Sequence, residues 1–138
     1  MERPAAHSRY VVGPDAAVTL IARRALIPAP RKLLAPTLLR SQVLARLYGD
    51  VQRGLIDRRE ATAQLEHLRR LRIRLLGDRV LQATAWQVAE QLGWPDTFVA
   101  EYIALTKLQA DALVVEDPAV ADAARRVVAV ATISDLLS

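Results

Sequence analysis

The stretch Gly93-Trp-Pro-Asp-Thr-Phe-Val-Ala-Glu-Tyr-Ile-Ala-Leu-Thr-Lys-Leu-Gln-Ala-Asp-Ala-Leu-Val-Val-Glu-Asp117 decides how the rest of the chain is read. A turn leads into a helix opened by Pro95 and Asp96, whose apolar surface is Val99, Tyr102, Ile103 and Leu105. Ala112-Leu-Val-Val115 then reads as a strand without a polar residue, hence buried on both faces and parallel to its neighbours. Glu116 and Asp117 follow at its carboxyl end, where open α/β sheets place their ligands.

Working towards the N-terminus, Asp78 caps a helix with Leu81, Ala85, Val88 and Leu92 inward, closed by Gly93. Before it, Asp57-Arg-Arg-Glu60 is a capping-box start to a helix with Ala61, Leu65, Leu68 and Leu71 on its face, and Ile73 and Leu75 alternate as a short extended piece. A helix from Pro36, in its first turn, to about Arg53 carries the stripe Leu39, Val43, Leu47, Val51, with Arg40, Arg46 and Asp50 outside it and Gly54 as the closing residue. Gln42 lies on the flank of that stripe. Leu33–Pro36 reads as a second strand, Ala16–Leu26 as a helix broken by Pro28 and Pro30, and Arg9–Gly13 as the first strand, with Asp15 just beyond it. After Asp117 come a helix over Pro118–Arg126, a strand over Val127–Ala131 and a tail, Ile133–Leu137, that packs back. Strand, helices, strand, helix, strand predicts a three-layer α/β/α domain around a small, mainly parallel sheet, spanning residues 9–138 behind a flexible tail, 1–8.

At 138 residues the chain makes one domain, with a core of Leu, Val, Ala and Ile, since apolar residues are 52% and aromatics only 4%. No apolar run approaches the roughly 18 residues of a membrane span, and the N-terminus lacks a signal peptide's apolar centre. Cysteine is absent, which removes disulfides, thiolate nucleophiles and zinc–thiolate sites. A cytoplasmic protein is expected. Charge is uneven: residues 1–74 hold 15 Arg/Lys against 6 Asp/Glu, and residues 75–138 hold 4 against 9. A basic half beside an acidic half suits a phosphate-binding surface next to a metal-binding acid cluster, although arginine also decorates solvated helix faces.

Glycine-rich phosphate loops and the Gly-x-Ser-x-Gly elbow are both missing. His7 falls in the tail and His67 among Arg and Glu on a helix, read as solvated, so zinc held by histidine is excluded. Carboxylates remain. Asp15 and Asp117 each follow a strand on the carboxyl side of the sheet and can share a crevice, where a divalent cation would neutralise them; oxygen-only ligands suit Mg²⁺ or Mn²⁺. Each also precedes a helix, where an aspartate serves equally as an N-cap.

Four stretches carry a family likeness: Val11-Val-Gly-Pro-Asp-Ala-Ala17, Leu34-Ala-Pro-Thr-Leu-Leu-Arg-Ser-Gln-Val-Leu-Ala45, Phe98-Val-Ala-Glu-Tyr-Ile-Ala-Leu105 and Asp111-Ala-Leu-Val-Val-Glu-Asp117. In order and spacing they resemble PIN-domain proteins, and among those the VapC-type toxin ribonucleases of toxin–antitoxin pairs. The resemblance implies a metal-dependent endoribonuclease using acids at four places to hold Mg²⁺ or Mn²⁺, an antitoxin-like protein partner, and a homodimer. Asp15 matches the first acid and Asp117 the fourth; Gln42 stands at the second, and Val99, 18 residues before Asp117, at the third. The Thr usual two residues before the fourth acid is Val115. With two acids neutral, metal binding is expected to be weak or absent and cleavage weak or lost. Compensation could come from Gln42's carbonyl, or from Asp96 one turn before Val99, giving Asp15, Asp117 and Asp96 as the metal set. Glu101, about 200° round the helix from Val99, should face away, and Glu116 should alternate to the other side of the strand.

Two further functional classes stand beside the ribonuclease. One is a non-catalytic PIN-fold module that binds RNA or an antitoxin-like protein; the other is an unrelated α/β binding module with surface arginine.

Overall fold

The computed structural model describes residues 8–138. His7 and the remainder of the expected tail, up to Ser8, lie outside the described residues. Ser8 itself is tied down: its amide and hydroxyl donate to Asp111 Oδ2 at 3.0 and 3.3 Å, and its carbonyl accepts from the Lys32 amide at 2.7 Å.

Five strands make an all-parallel sheet in the order β3-β2-β1-β4-β5: β1 (Arg9–Val12), β2 (Lys32–Pro36), β3 (Arg74–Leu76), β4 (Ala112–Val114) and β5 (Val130–Ala131). The three central strands β2, β1 and β4 are buried on both faces beyond their first residues, as parallel strands between helical layers require, while the edge strands β3 and β5 are only partly buried. Seven helices among the described residues cover it: α1 (Pro14–Ala22), α2 (Leu38–Gln52), α3 (Arg58–Arg70), α4 (Arg79–Leu92), α5 (Phe98–Gln109), α6 (Pro118–Ala124) and α7 (Ile133–Leu137). The result is a three-layer α/β/α fold. Helices α1, α2 and α3 pack on one another, while α5 lies against β1, β2 and β4 with α4 packed on it. No helix among the described residues is long and apolar enough to cross a membrane.

Local signals set several boundaries. Asp57 and Asp78 cap α3 and α4 by accepting the Glu60 and Leu81 amides at 2.7 and 2.9 Å. Gly93 closes α4 at φ +69, a left-handed conformation that glycine adopts without steric cost.

Other boundaries differ from expectation. Helix α1 stops at Ala22, before the prolines, because Arg24 turns left-handed at φ +53 and the Ala25 amide closes back on the Leu20 carbonyl at 2.9 Å. Pro36 ends β2, paired with Leu76, instead of opening α2. Helix α5 begins at Phe98 with Thr97 as its cap, so Asp96 is not the N-cap; its Oδ1 accepts the Phe98 amide at 3.2 Å. Strand β5 shrinks to two residues because the Val127 and Val128 amides both donate to Ala124, continuing the end of α6. Asp50 is buried instead of lying outside the α2 stripe, held by Arg53 at 2.6 Å and Arg46 at 3.2 Å.

On α3 the buried line is Ala61, Gln64 and His67. Gln64 donates to Glu60 Oε2 at 2.8 Å, and His67 Nε2 meets the Ala25 carbonyl at 2.8 Å. His67 is therefore a buried strut, not a solvated residue; its partner, 42 residues away in sequence, removes the penalty for burying the ring.

Candidate functional site

The chain lays down β1, β2 and β3 outward in one direction, then returns to the other side of β1 with β4. The connections leaving β1 and β4 therefore diverge, and the crevice between their carboxyl ends is the switch point at which such sheets bind ligands. Asp15 and Asp117 both stand there, in the segments following β1 and β4.

What brings the two strand ends together is Gly13. Its amide donates to the Val114 carbonyl at 2.9 Å, and a Cβ on it would come within 2.8 Å of Val115 Cγ1. Pro14 then opens α1, placing half-buried Asp15 in its first turn. The Asp15 carboxylate reaches across to the β4–α6 connection. Oδ2 accepts the amides of Glu116 and Asp117, both at 2.9 Å, and Oδ1 accepts the Ala16 amide at 2.7 Å. Three of the roughly four acceptor positions of an ionised carboxylate are thus filled by backbone.

Asp117 caps α6, its Oδ1 accepting from Ala119 at 2.8 Å and Val120 at 3.3 Å. Glu116 turns towards α1, where it accepts the Thr19 hydroxyl. On the other flank, the Tyr102 hydroxyl of α5 donates to Gln42 Oε1 of α2. Tyr102 is buried, and burial pushes its phenol far above the ordinary tyrosine value, with the charges of Glu101 and Asp15 adding to the effect. Burial also raises the Glu101 carboxyl above the usual carboxylate range. The charges of Glu101 and Asp15 both bear on the Tyr102 hydroxyl.

The metal set Asp15, Asp117 and Asp96 does not assemble. No group of three or more His, Cys, Asp or Glu able to hold a metal ion occurs among the described residues. Exposed Asp96 is occupied with the Phe98 amide, Val99 packs half-buried against the core, and the Gln42 carbonyl offered as a substitute ligand is already taken by Tyr102. A hard divalent cation wants about six oxygens, several of them charged. These donors do not fit it.

Tyr102 is the residue that sequence reading missed, having been assigned to the apolar face of its helix. A signal was available: a tyrosine on an inward face needs a partner for its hydroxyl, and Gln42 was the polar residue flanking the facing stripe.

No protein-family model matches the chain, and no curated protein does. Among solved structures it is similar to PAE2754 from Pyrobaculum aerophilum, at 20% identity and a TM-score of 0.73, over 94% of this chain and 93% of that one. At that identity the likeness shows the shared three-layer fold.

Proposed function

We propose that this chain is a PIN-like, cytoplasmic protein of VapC descent that no longer cleaves RNA and acts by binding an antitoxin-like protein partner. The observation that carries the reading is the use made of Asp15. The carboxylate that a metal-dependent nuclease would direct at Mg²⁺ or Mn²⁺ is instead a clasp between β1 and the β4–α6 connection. Gln42 and Val99 supply no charge to replace it, and Gln42 is engaged with Tyr102.

The partner surface is the outer face of α2. Leu44 and Tyr48, one turn apart, are 56% and 66% exposed, and Leu55 just beyond the helix is 67% exposed. A helix face of that kind fits a helix or strand from another chain, either an antitoxin-like segment or a second copy. RNA binding without cleavage is the second reading, favoured by the excess of Arg/Lys, 15 against 6 Asp/Glu, in residues 1–74.

Calorimetry with Mn²⁺, followed by an RNA cleavage assay, tests the proposal. Neither binding at millimolar Mn²⁺ nor cleavage is expected. Cleavage that requires Mn²⁺ and disappears in both Asp15→Asn and Asp117→Asn would overturn it. Gain of Mn²⁺-dependent cleavage by the Gln42→Glu, Val99→Asp double variant is the expected mark of descent from a nuclease.

A further inference from the structure

At the opposite, amino-terminal edge of the sheet lies a cavity of about 690 Å³, in the size range of small-molecule sites. Arg9, Arg31, Lys32, Arg70, Arg72 and Arg74 all line it, and no carboxylate among the described residues does. Sheet register explains half of this convergence. Arg9 pairs with Lys32, and Arg74 pairs with Leu34, two residues on from Lys32. Register partners and residues two apart share a face, so the three cations begin three adjacent strands and point to one side.

Arg70 and Arg72 come from the end of α3. Arg72 sits there at φ +53, a left-handed position where glycine is the unstrained choice at a helix end. From that position Arg72 lines the cavity. His67, bonded to Ala25, fixes the opposite wall, formed by the α1–β2 connection, and Leu26 on that connection is 84% exposed at the rim.

Among the described residues no side-chain carboxylate pairs with these charges. Arg31 is committed to the carbonyls of Asp135 and Leu136, but the side chains of Arg9, Lys32, Arg70, Arg72 and Arg74 make no ion pair or hydrogen bond among the described residues. The nearby Asp111 carboxylate is turned to the amides of Ser8 and Arg9. Five like charges around one concavity repel one another until a multivalent anion enters, and guanidinium groups match phosphate oxygens in bidentate fashion.

We infer that this cavity binds a small ligand carrying a chain of phosphates, a nucleoside polyphosphate or inorganic polyphosphate. Convergence of the cations on one concavity, as opposed to a track along the surface, is what favours a small ligand over an RNA strand. The site is separate from the Asp15–Asp117 crevice and does not depend on the function proposed for it.

The test is calorimetric titration of the full chain with inorganic tripolyphosphate and with ATP, without added metal. Saturable binding that weakens with salt is expected for tripolyphosphate. Tighter binding of ATP identifies a nucleotide, with the base against Leu26; equal or weaker binding of ATP identifies the inorganic chain. Arg72→Gly combined with Lys32→Ala should weaken binding at least about tenfold. The variant should melt no lower than the wild type, because glycine relieves the left-handed strain. Absence of binding at millimolar ligand, or binding unchanged in the variant, overturns the inference. So does a roughly 12-nucleotide single-stranded RNA that displaces both small ligands at equal phosphate concentration.

Discussion

The Asp15 carboxylate accepts the backbone amide of Asp117 at 2.9 Å, so the side chain of one of these two acids holds the main chain of the other. The pair lies 102 residues apart in sequence and joins the ends of two adjacent strands. Its chemistry is that of a charged acceptor satisfying the amides of a turn.

Replacing Asp15 by Ala leaves the Glu116 and Asp117 amides without their shared acceptor. A loss of about 2–3 kcal/mol is expected. Asp117→Ala removes only an exposed helix cap and should cost about 1 kcal/mol. Urea denaturation of the two variants compares them directly; equal losses, or a larger loss for Asp117→Ala, would contradict the clasp.

Gly13→Ala places a methyl carbon 2.8 Å from Val115 Cγ1, at the point where β1 and β4 come together. Its backbone, at φ −71, would itself tolerate alanine, so the expected destabilisation of about 1–3 kcal/mol is steric. Pairing it with Val115→Ala should restore part of the loss in a double-mutant cycle. Simple addition of the two effects would place the strain elsewhere.

Tyr102→Phe removes the hydroxyl that joins α5 to Gln42 on α2. Thermal unfolding should show a loss of about 1 kcal/mol. In a Gln42→Ala background the same change should have almost no effect, because the partner is already gone.

Burial raises the Glu101 carboxyl above its ordinary 4.5, so the folded protein holds that proton more tightly than the unfolded chain. The sign follows from linkage: stability associated with this group is fully present below pH 4.5 and declines as pH rises through the raised folded value. Glu101→Gln should therefore raise stability at pH 7, with the gain vanishing below about pH 4. A gain that is the same at both pH values would mean that the charge is not responsible.

The helix caps at Asp57 and Asp78 and the closing turn at Gly93 were legible because each is a contact between residues three or four apart, or the conformational preference of a single residue. The stripe Leu39, Val43 and Leu47 was legible because periodicity alone says which side of a helix is apolar. The end of α1 was not. The stop is an arginine adopting a left-handed turn, which ordinary propensity disfavours, and the prolines that drew attention lie further on. His67 was misread for a related reason: polar neighbours in sequence suggested solvent, and only the fold sets it beneath the Ala25 carbonyl.

By itself the sequence determined the α/β architecture of the stretch from Gly93 to Asp117, and that residues 42 and 99 are neutral. Side-chain identity settles how much charge is available, and a neutral residue stays neutral in any fold. Tertiary structure alone decided what the remaining acids do. Asp15 meets the amides of Glu116 and Asp117 only because β1 and β4 are sheet neighbours, and the arginines of residues 9, 72 and 74 meet Lys32 only because three parallel strands and the end of α3 reach one edge. Both depend on strand order and register, which are set by how the whole core packs.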